Sequence, residues 1–276
     1  MTLNIRGELM DLSIPKVMGI VNVTPDSFYS GSRTQSVFEI RGRIEQMIAD
    51  GVDILDLGGY SSRPGADNVS GDEEYDRLAR GLEVVKEVAP WIPVSIDTFR
   101  ASVARRCVEE WNVDIINDIG GGTLDPEIQE TVADLHVAYV LMHMRGTPST
   151  MQSLTDYQDV TAEVITDLSK KVYHLRGLGV NDIIIDPGFG FAKTVAQNFQ
   201  MLNELGEFCK MGMPVLVGIS RKTMIWKTLG VTPEEALDGT VALDAIAIDR
   251  GANIIRVHDV RPAVQTVKLL SQLSKD

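Results

Sequence analysis

The chain has 276 residues, with 39 Asp and Glu against 26 Lys and Arg, giving a formal net charge of −13. That balance disfavours nucleic-acid binding, which needs a basic surface, and favours solubility. The length permits one large α/β domain with a core that needs no disulfide staple, and 44% apolar with 24% charged residues is ordinary for a globular protein.

Residues 1–16 contain Arg6, Glu8 and Asp11 and no continuous apolar run, so neither a signal peptide nor a membrane span is expected. The expected location is cytoplasmic. Segment 3–14, with Arg6-Gly7 as its turn, predicts a short hairpin. Short runs rich in Val and Ile follow at 17–23, 53–58, 93–97, 113–119, 137–143, 182–186, 214–219 and 253–257. Runs apolar on both faces suit parallel strands covered by helices. Amphipathic stretches at 36–50, 74–89, 101–111, 125–135, 159–178, 196–208, 233–250 and 261–273 predict those helices. Eight strand–helix rounds predict a single α/β domain over 1–276, a (β/α)8 TIM barrel whose bottom the hairpin closes. An open doubly wound sheet is the alternative. Cys107 and Cys209 stand isolated and form neither a metal site nor a disulfide framework.

The residues that end the runs are nearly all polar: Asn22, Gly58-Gly59 leading to Ser61-Ser62-Arg63, Asp97, Asn117-Asp118, His143, Asp186, Gly218-Ile219-Ser220 with Lys222, and Arg256 with His258. In a barrel these ends converge on one mouth, where catalytic residues sit. Polar residues also simply mark strand ends, which accounts for one or two of them. It does not account for Asp97 after Val94-Ser95-Ile96, or for Asn117 after Ile115-Ile116, because buried polar groups are costly unless paired.

Lys222, Arg256 and His258 follow the seventh and eighth runs, where barrels often bind phosphate, and Arg63 offers a further contact. Taken singly, each would more often be a solvated surface residue. Clustered in so acidic a chain, they point to a specific anionic ligand. Asp97, Asn117 and Asp186 suit the N3–H and exocyclic amine of an aminopyrimidinone ring, as in a pterin or a guanine. No His, Cys and Asp spacing supports a closed metal cage, so Mg2+ carried on a phosphate with one protein ligand is the better fit. Segment 186–193 is rich in glycine but lacks a Walker A ending, and Gly120-Gly121-Gly122 is too little for a dinucleotide fingerprint. Its glycines suit a tight turn under a ligand, with Phe189 or Phe191 against a flat ring and the other in the core.

These motifs together resemble the dihydropteroate synthase family. The carriers are Met18-Gly19-Ile20-Val21-Asn22-Val23-Thr24-Pro25-Asp26-Ser27-Phe28, Asp56-Leu57-Gly58-Gly59-Tyr60-Ser61-Ser62-Arg63-Pro64-Gly65 and Ser95-Ile96-Asp97-Thr98. Ile116-Asn117-Asp118, Asp186-Pro187-Gly188-Phe189-Gly190-Phe191, Gly218-Ile219-Ser220-Arg221-Lys222 and Arg256-Val257-His258-Asp259 follow in family order. The resemblance implies condensation of 6-hydroxymethyl-7,8-dihydropterin pyrophosphate with p-aminobenzoate, a step of folate biosynthesis and the target of sulfonamides. It implies that Asp97, Asn117, Asp186 and Lys222 hold the pterin, that Asn22 ligands Mg2+, and that Arg256 and His258 bind the pyrophosphate. Phe28, Arg63, Pro64 and Phe191 would surround p-aminobenzoate, Thr223 would meet its carboxylate, and Ser62, Met142 and Gly218 would line the substrate site. Ser62, Thr223 and Ala192 depart from the family's usual Thr, Ser and Gly; the first two keep the hydroxyl.

Asp97, Lys222, Arg256 and His258 are the expected catalytic group, acting without a protein nucleophile. Loops 24–36 and 61–72, with their Pro and Gly, are expected to close over the site. The rival readings are a methyltetrahydrofolate–corrinoid methyltransferase, which shares the pterin pocket, and a non-catalytic pterin-binding paralogue. The first would not need Arg256 and His258 for pyrophosphate, nor the Thr24-Pro25-Asp26-Ser27-Phe28 loop; loss of Asn22, Lys222, Arg256 or His258 would mark the second, and all four are present. The stretch 233–250 is apolar around much of its circumference, which together with the family's habit predicts a homodimer. His136 and His174 are expected to be structural or surface residues, and His143 to do no more than line the site.

Overall fold

The chain begins with a hairpin of β1 (Thr2–Ile5) and β2 (Glu8–Asp11). Arg6 and Gly7 between them have φ of 55° and 83°, the paired left-handed conformations of a tight hairpin turn. A computed structural model describes residues 1–23, 33–60 and 69–273. Among them, eight parallel strands form one sheet: β3 (Lys16–Asn22), β4 (Ile54–Gly58), β5 (Val94–Asp97), β6 (Ile115–Asp118), β7 (Ala138–Met142), β8 (Ile183–Asp186), β9 (Leu216–Val217) and β10 (Ile254–Val257). Their order in space is β8-β7-β6-β5-β4-β3-β10-β9, and a parallel bridge from Ile185 to Val215 joins the two ends. The sheet is thus the expected barrel rather than an open doubly wound one.

Helices alternate with the strands: α1 (Arg33–Asp50), α2 (Gly71–Val88), α3 (Ala101–Trp111), α4 (Ile128–Leu135), α5 (Val160–Gly177), α6 (Val195–Asn203), α7 (Leu205–Cys209), α8 (Thr223–Leu229), α9 (Leu237–Asp249) and α10 (Val260–Leu270). Local chemistry sets several boundaries. Ser70 caps α2 by accepting from Glu73 N–H, Asp159 caps α5 by accepting from Ala162 N–H, and Thr194 with Gln197 forms a capping box on α6. His136 ends α4 in the left-handed region at φ 54°, a structural post. The expected helix at 196–208 is instead two, divided at Glu204, whose ψ of 19° leaves the helical range. The seventh run yields only two strand residues, because the chain turns at once and Lys222 N–H donates to Ile219 C=O at 3.0 Å.

Strand side chains alternate, and the core divides accordingly. Val17, Val21, Leu55, Leu57, Val94, Ile96, Ile116, Tyr139, Leu141, Ile183, Ile185, Val215, Val217, Ile255 and Val257 pack outward with the helices. Met18, Ile54, Ile115, Val140, Ile184, Leu216 and Ile254 form a separate inner cluster with Leu3, Ile5 and Leu12 of the hairpin segment. Each of those three side chains contributes roughly 1.5–3 kcal/mol by leaving water. Arg6 fixes the plug: its Nε and Nη2 donate to the Asp114 carboxylate at 2.6 and 2.8 Å, and Asp114 also accepts from Val94 N–H at 2.8 Å. The hairpin therefore closes the bottom of the barrel, as expected.

One buried acid stands apart from the mouth. Asp244 on α9 is 2% exposed, and among the described residues its Oδ1 has no hydrogen-bond partner. Burial, reinforced by the charge of Asp259, pushes its pKa up to about 8. The folded protein then keeps a proton that the unfolded chain has lost, so stability falls as pH rises from the ordinary carboxylate range through about 8. Asp244→Asn should raise the melting temperature at about pH 8.5 and raise it much less at about pH 5. Equal shifts in thermal melts at the two pH values would show that Asp244 titrates normally.

Candidate active site

The same alternation that builds the inner apolar cluster builds the site. Two residues beyond Ile54 comes Asp56, beyond Ile115 comes Asn117, beyond Val140 comes Met142, beyond Ile184 comes Asp186, beyond Leu216 comes Gly218, and beyond Ile254 comes Arg256. Each keeps the inward face of its apolar predecessor. Asn22 shares that face with Met18 and lies exposed at the end of β3. The barrel interior thus changes from apolar to polar within one layer.

Asp56 is the hub of the polar layer. It is fully buried. Its Oδ1 accepts from Ser95 Oγ at 2.6 Å, and its Oδ2 from Asn117 Nδ2 at 3.2 Å and from Arg256 Nε at 2.7 Å. Arg256 Nη2 also lies 2.6 Å from Asp56 Oδ2 and donates to Asp97 Oδ2 at 2.7 Å. Burial works against the Arg256 cation, but Asp56 and Asp97 more than reverse this and raise its pKa. Burial pushes Asp97 up to about 7 despite Arg256, with the charge of Asp56 adding to the rise.

Asp186 ends β8 and is raised by burial, while Lys222 opposes the shift. Its Oδ1 accepts from Gly188 N–H at 2.7 Å and so starts the glycine-rich turn. Lys222 Nζ donates to Phe189 C=O at 2.5 Å and lies 4.9 Å from the centre of the Phe191 ring. Burial lowers its pKa to about 8, with Asp186 opposing. The two phenylalanines sort as the sequence left open: Phe189 is fully buried in the outer core, and Phe191 is half-buried beside Met142, Met144 and Ala192. Ser220 Oγ accepts from His258 N–H at 3.2 Å and lies 3.0 Å from His258 Nδ1. Burial, and then Arg256, lower the His258 pKa to about 4, so the ring is neutral near pH 7 and shares one hydrogen bond with the serine hydroxyl. Thr223 is the first residue of α8 and is exposed.

The mouth therefore gathers Asn22, Asp97, Asn117, Met142, Asp186, Phe191, Gly218, Lys222, Arg256 and His258. Phe28, Ser62, Arg63 and Pro64, with the two loops expected to close, fall wholly or largely in 24–32 and 61–68, outside the described residues. Asp118 ends β6 and His143 follows β7, but both face outward. Asp118 accepts from Gly120 and Gly122 N–H and from Tyr139 Oη, and His143 meets Lys193. Reading strand ends missed Asp56, Ser95 and Lys193. Asp56 lies two residues short of its strand end, yet a carboxylate inside Ile54-Leu55-Asp56-Leu57 carries the same signal as Asp97. Among the described residues no trio of His, Cys, Asp and Glu is arranged to hold a metal ion. Asn22 offers one carboxamide oxygen at the rim.

Residues 18–258 match the model of the family described as "Pterin binding enzyme". A dihydropteroate synthase of Synechocystis is 44% identical over 93% of this chain and 89% of its own length. The chain belongs to the dihydropteroate synthase family. A solved synthase of that family from Xanthomonas albilineans, with 4-aminobenzoic acid, superposes with a TM-score of 0.90 at 37% identity, over all of this chain and 98% of the other. Another structure of the Xanthomonas albilineans synthase, in complex with 7,8-dihydropteroate, gives a TM-score of 0.88 at 35% identity over the full length of both chains.

Within this dihydropteroate synthase framework the departure at Ala192 has a visible backbone consequence. Ala192 takes φ 51°, a left-handed conformation that costs a residue with a side chain roughly 1–2 kcal/mol. It is fully buried among Ile119, Met142, Met144 and Met151, so its methyl group fills core that glycine would leave open. The larger debt of the site to a single residue lies at Asp56. Asp56→Ala should lower stability by roughly 3 kcal/mol in urea unfolding, because Arg256 stays buried with one carboxylate instead of two. A loss under about 1 kcal/mol would mean that Asp97 alone suffices for Arg256.

Proposed function

We propose that this chain is a dihydropteroate synthase, a transferase that joins the pterinylmethyl group of 6-hydroxymethyl-7,8-dihydropterin pyrophosphate to p-aminobenzoate and releases pyrophosphate and 7,8-dihydropteroate. The observation that carries this reading is the polar layer of the barrel. Two carboxylates and an amide that suit an aminopyrimidinone edge stand beside a lysine, an arginine and a histidine that suit an anion. The family membership supplies the substrates, and its solved members bind 4-aminobenzoic acid and 7,8-dihydropteroate.

In this scheme Asp97, Asn117 and Asp186 accept from and donate to the pterin ring, and Lys222 contacts it from the glycine-rich side. Met142 and Gly218 line the ring; a Cβ at Gly218 would come within 3.7 Å of Arg256 and 3.9 Å of Lys222 Nζ, so the small residue keeps that wall open. Arg256 and His258 bind the pyrophosphate and stabilise its charge as the C–O bond breaks. The electron pair leaves with pyrophosphate, and the electron-rich dihydropterin delocalises the methylene cation. Asp97 stabilises that cation. The amine of p-aminobenzoate then attacks the methylene and loses a proton. Phe28, Arg63, Pro64 and Phe191 wall the aminobenzoate, whose carboxylate Thr223 meets, and Ser62 lines the substrate site. No protein nucleophile takes part.

Mg2+ on the pyrophosphate, held by Asn22, would neutralise leaving-group charge. A lone exposed carboxamide oxygen suits an ion whose remaining ligands are substrate oxygens and water. One pterin-binding barrel domain over 1–276 does this work. A homodimer through α9 agrees with the exposure of Ala242 and of Ile246, which is 39% exposed. A cytoplasmic setting agrees with the unpaired Cys107 and Cys209. Among the described residues no helix is long and apolar enough to cross a membrane.

The deciding assay supplies dihydropterin pyrophosphate, p-aminobenzoate and Mg2+ and measures dihydropteroate and pyrophosphate together. Stoichiometric formation of both is expected. No dihydropteroate would leave a corrinoid methyltransferase or a non-catalytic pterin binder in its place. Arg256→Ala should weaken binding of the pyrophosphate substrate by about a hundredfold and of the bare hydroxymethylpterin by much less, read by calorimetry. Equal losses for the two ligands would contradict the pyrophosphate role.

A further inference from the structure

The proposed chemistry leaves a buried lysine without a task. Lys193 closes the glycine-rich segment and is 4% exposed. Its ammonium donates to Gly188 C=O at 3.1 Å and to Phe191 C=O at 2.9 Å, and lies 3.0 Å from His143 Nδ1. Three protons thus meet three acceptors. An ammonium cannot accept, so His143 Nδ1 does; burial, and then the Lys193 charge, push the His143 pKa down to about 2. Burial lowers Lys193 itself to about 7, with Asp186 opposing. Filling space does not require a charge here, since Met would pack as well without the desolvation cost.

What the ammonium joins gives the reason. Gly188 follows Asp186 by two residues, and Phe191 is the half-buried ring at the mouth. The segment is pressed onto the end of β7 so closely that a Cβ on Gly188 would lie 2.0 Å from His143 C=O. Its other backbone groups are also tied by side chains. Gly188 N–H goes to Asp186, Phe189 C=O to Lys222, and Gly190 N–H to Asn198 Oδ1 at 2.7 Å. Phe191 N–H donates to Gly188 C=O at 3.1 Å and closes the turn, and Lys193 adds a side-chain tie that holds both residues to His143. The Lys193 charge also opposes the upward push of burial on Asp186.

We propose that Lys193 is a positioning residue that fixes the spacing between the pterin-reading Asp186 and the aminobenzoate-facing Phe191, and so aligns the attacking amine with the pterin methylene. This rests on the substrates assigned above. If the spacing loosens, the C–O bond still breaks with its electron pair leaving on pyrophosphate. Water then competes with the amine for the methylene, giving hydroxymethyldihydropterin and a proton.

The test is Lys193→Met, with wild type alongside and folding checked by circular dichroism. Dihydropteroate formation at saturation should fall about tenfold to a hundredfold, while each KM stays within about threefold. Pyrophosphate release should exceed dihydropteroate formation, with hydroxymethyldihydropterin making up the difference. His143→Leu leaves the lysine in place and removes one of its three acceptors; it should show the same partition at smaller amplitude, and it decides the matter if Lys193→Met does not fold. A folded variant with the two products still one to one, or with raised KM values and unchanged kcat, overturns the proposal. Wild type that makes no dihydropteroate overturns the functional reading, and this inference with it.

Discussion

The barrel can hold charge inside it because Asp56 of β4 and Arg256 of β10 meet in its interior, in front of the intervening β3. Neither would be stable there alone. An unpaired charge of either sign in a wall of such low exposure carries a large desolvation cost. Together, with Ser95, Asn117 and Asp97 filling the remaining hydrogen-bond sites, they make a polar floor on an apolar base. Two residues at the mouth take their orientation from it. Asp97 is held by the same guanidinium, and Asn117 presents its amide from a fixed angle.

The division of labour between the two ends of the barrel follows from the same alternation. Below the floor, Met18, Ile54, Ile115, Ile184 and Ile254 pack against Leu3, Ile5 and Leu12 and serve stability. Above it, the same strands present groups that are costly to bury. The carboxyls of Asp97 and Asp186 are both pushed up by burial, and Lys222 and His258 are both pushed down. Such opposed shifts at one mouth mark a site whose charges are kept for a ligand. The lower half supplies the rigidity that lets them stay there.

Strand count and the hairpin plug were legible because they rest on periodicity and turn chemistry, which are local; the eight expected helices are ten among the described residues, through the break at Glu204 and the short α8. Asn22, Asp97, Asn117, Asp186, Lys222, Arg256 and His258 were legible because a polar residue interrupting a Val- and Ile-rich run has few structural uses. Asp118 and His143 met the same criterion yet face outward, since one residue along a strand reverses the side. Asp56 was passed over for the converse reason: it lies one layer deeper than a strand end. Lys193 has no local signature at all. Its meaning comes from three acceptors contributed by Gly188, Phe191 and His143, and from a chain fold that brings β7 under the turn. The α6–α7 break at Glu204 and the two-residue β9 likewise depend on packing that no window of sequence displays.

The Arg6–Asp114 staple, far from the chemistry, has a consequence for traffic. A barrel sealed by its hairpin is a cup, so everything that enters must leave through the same rim.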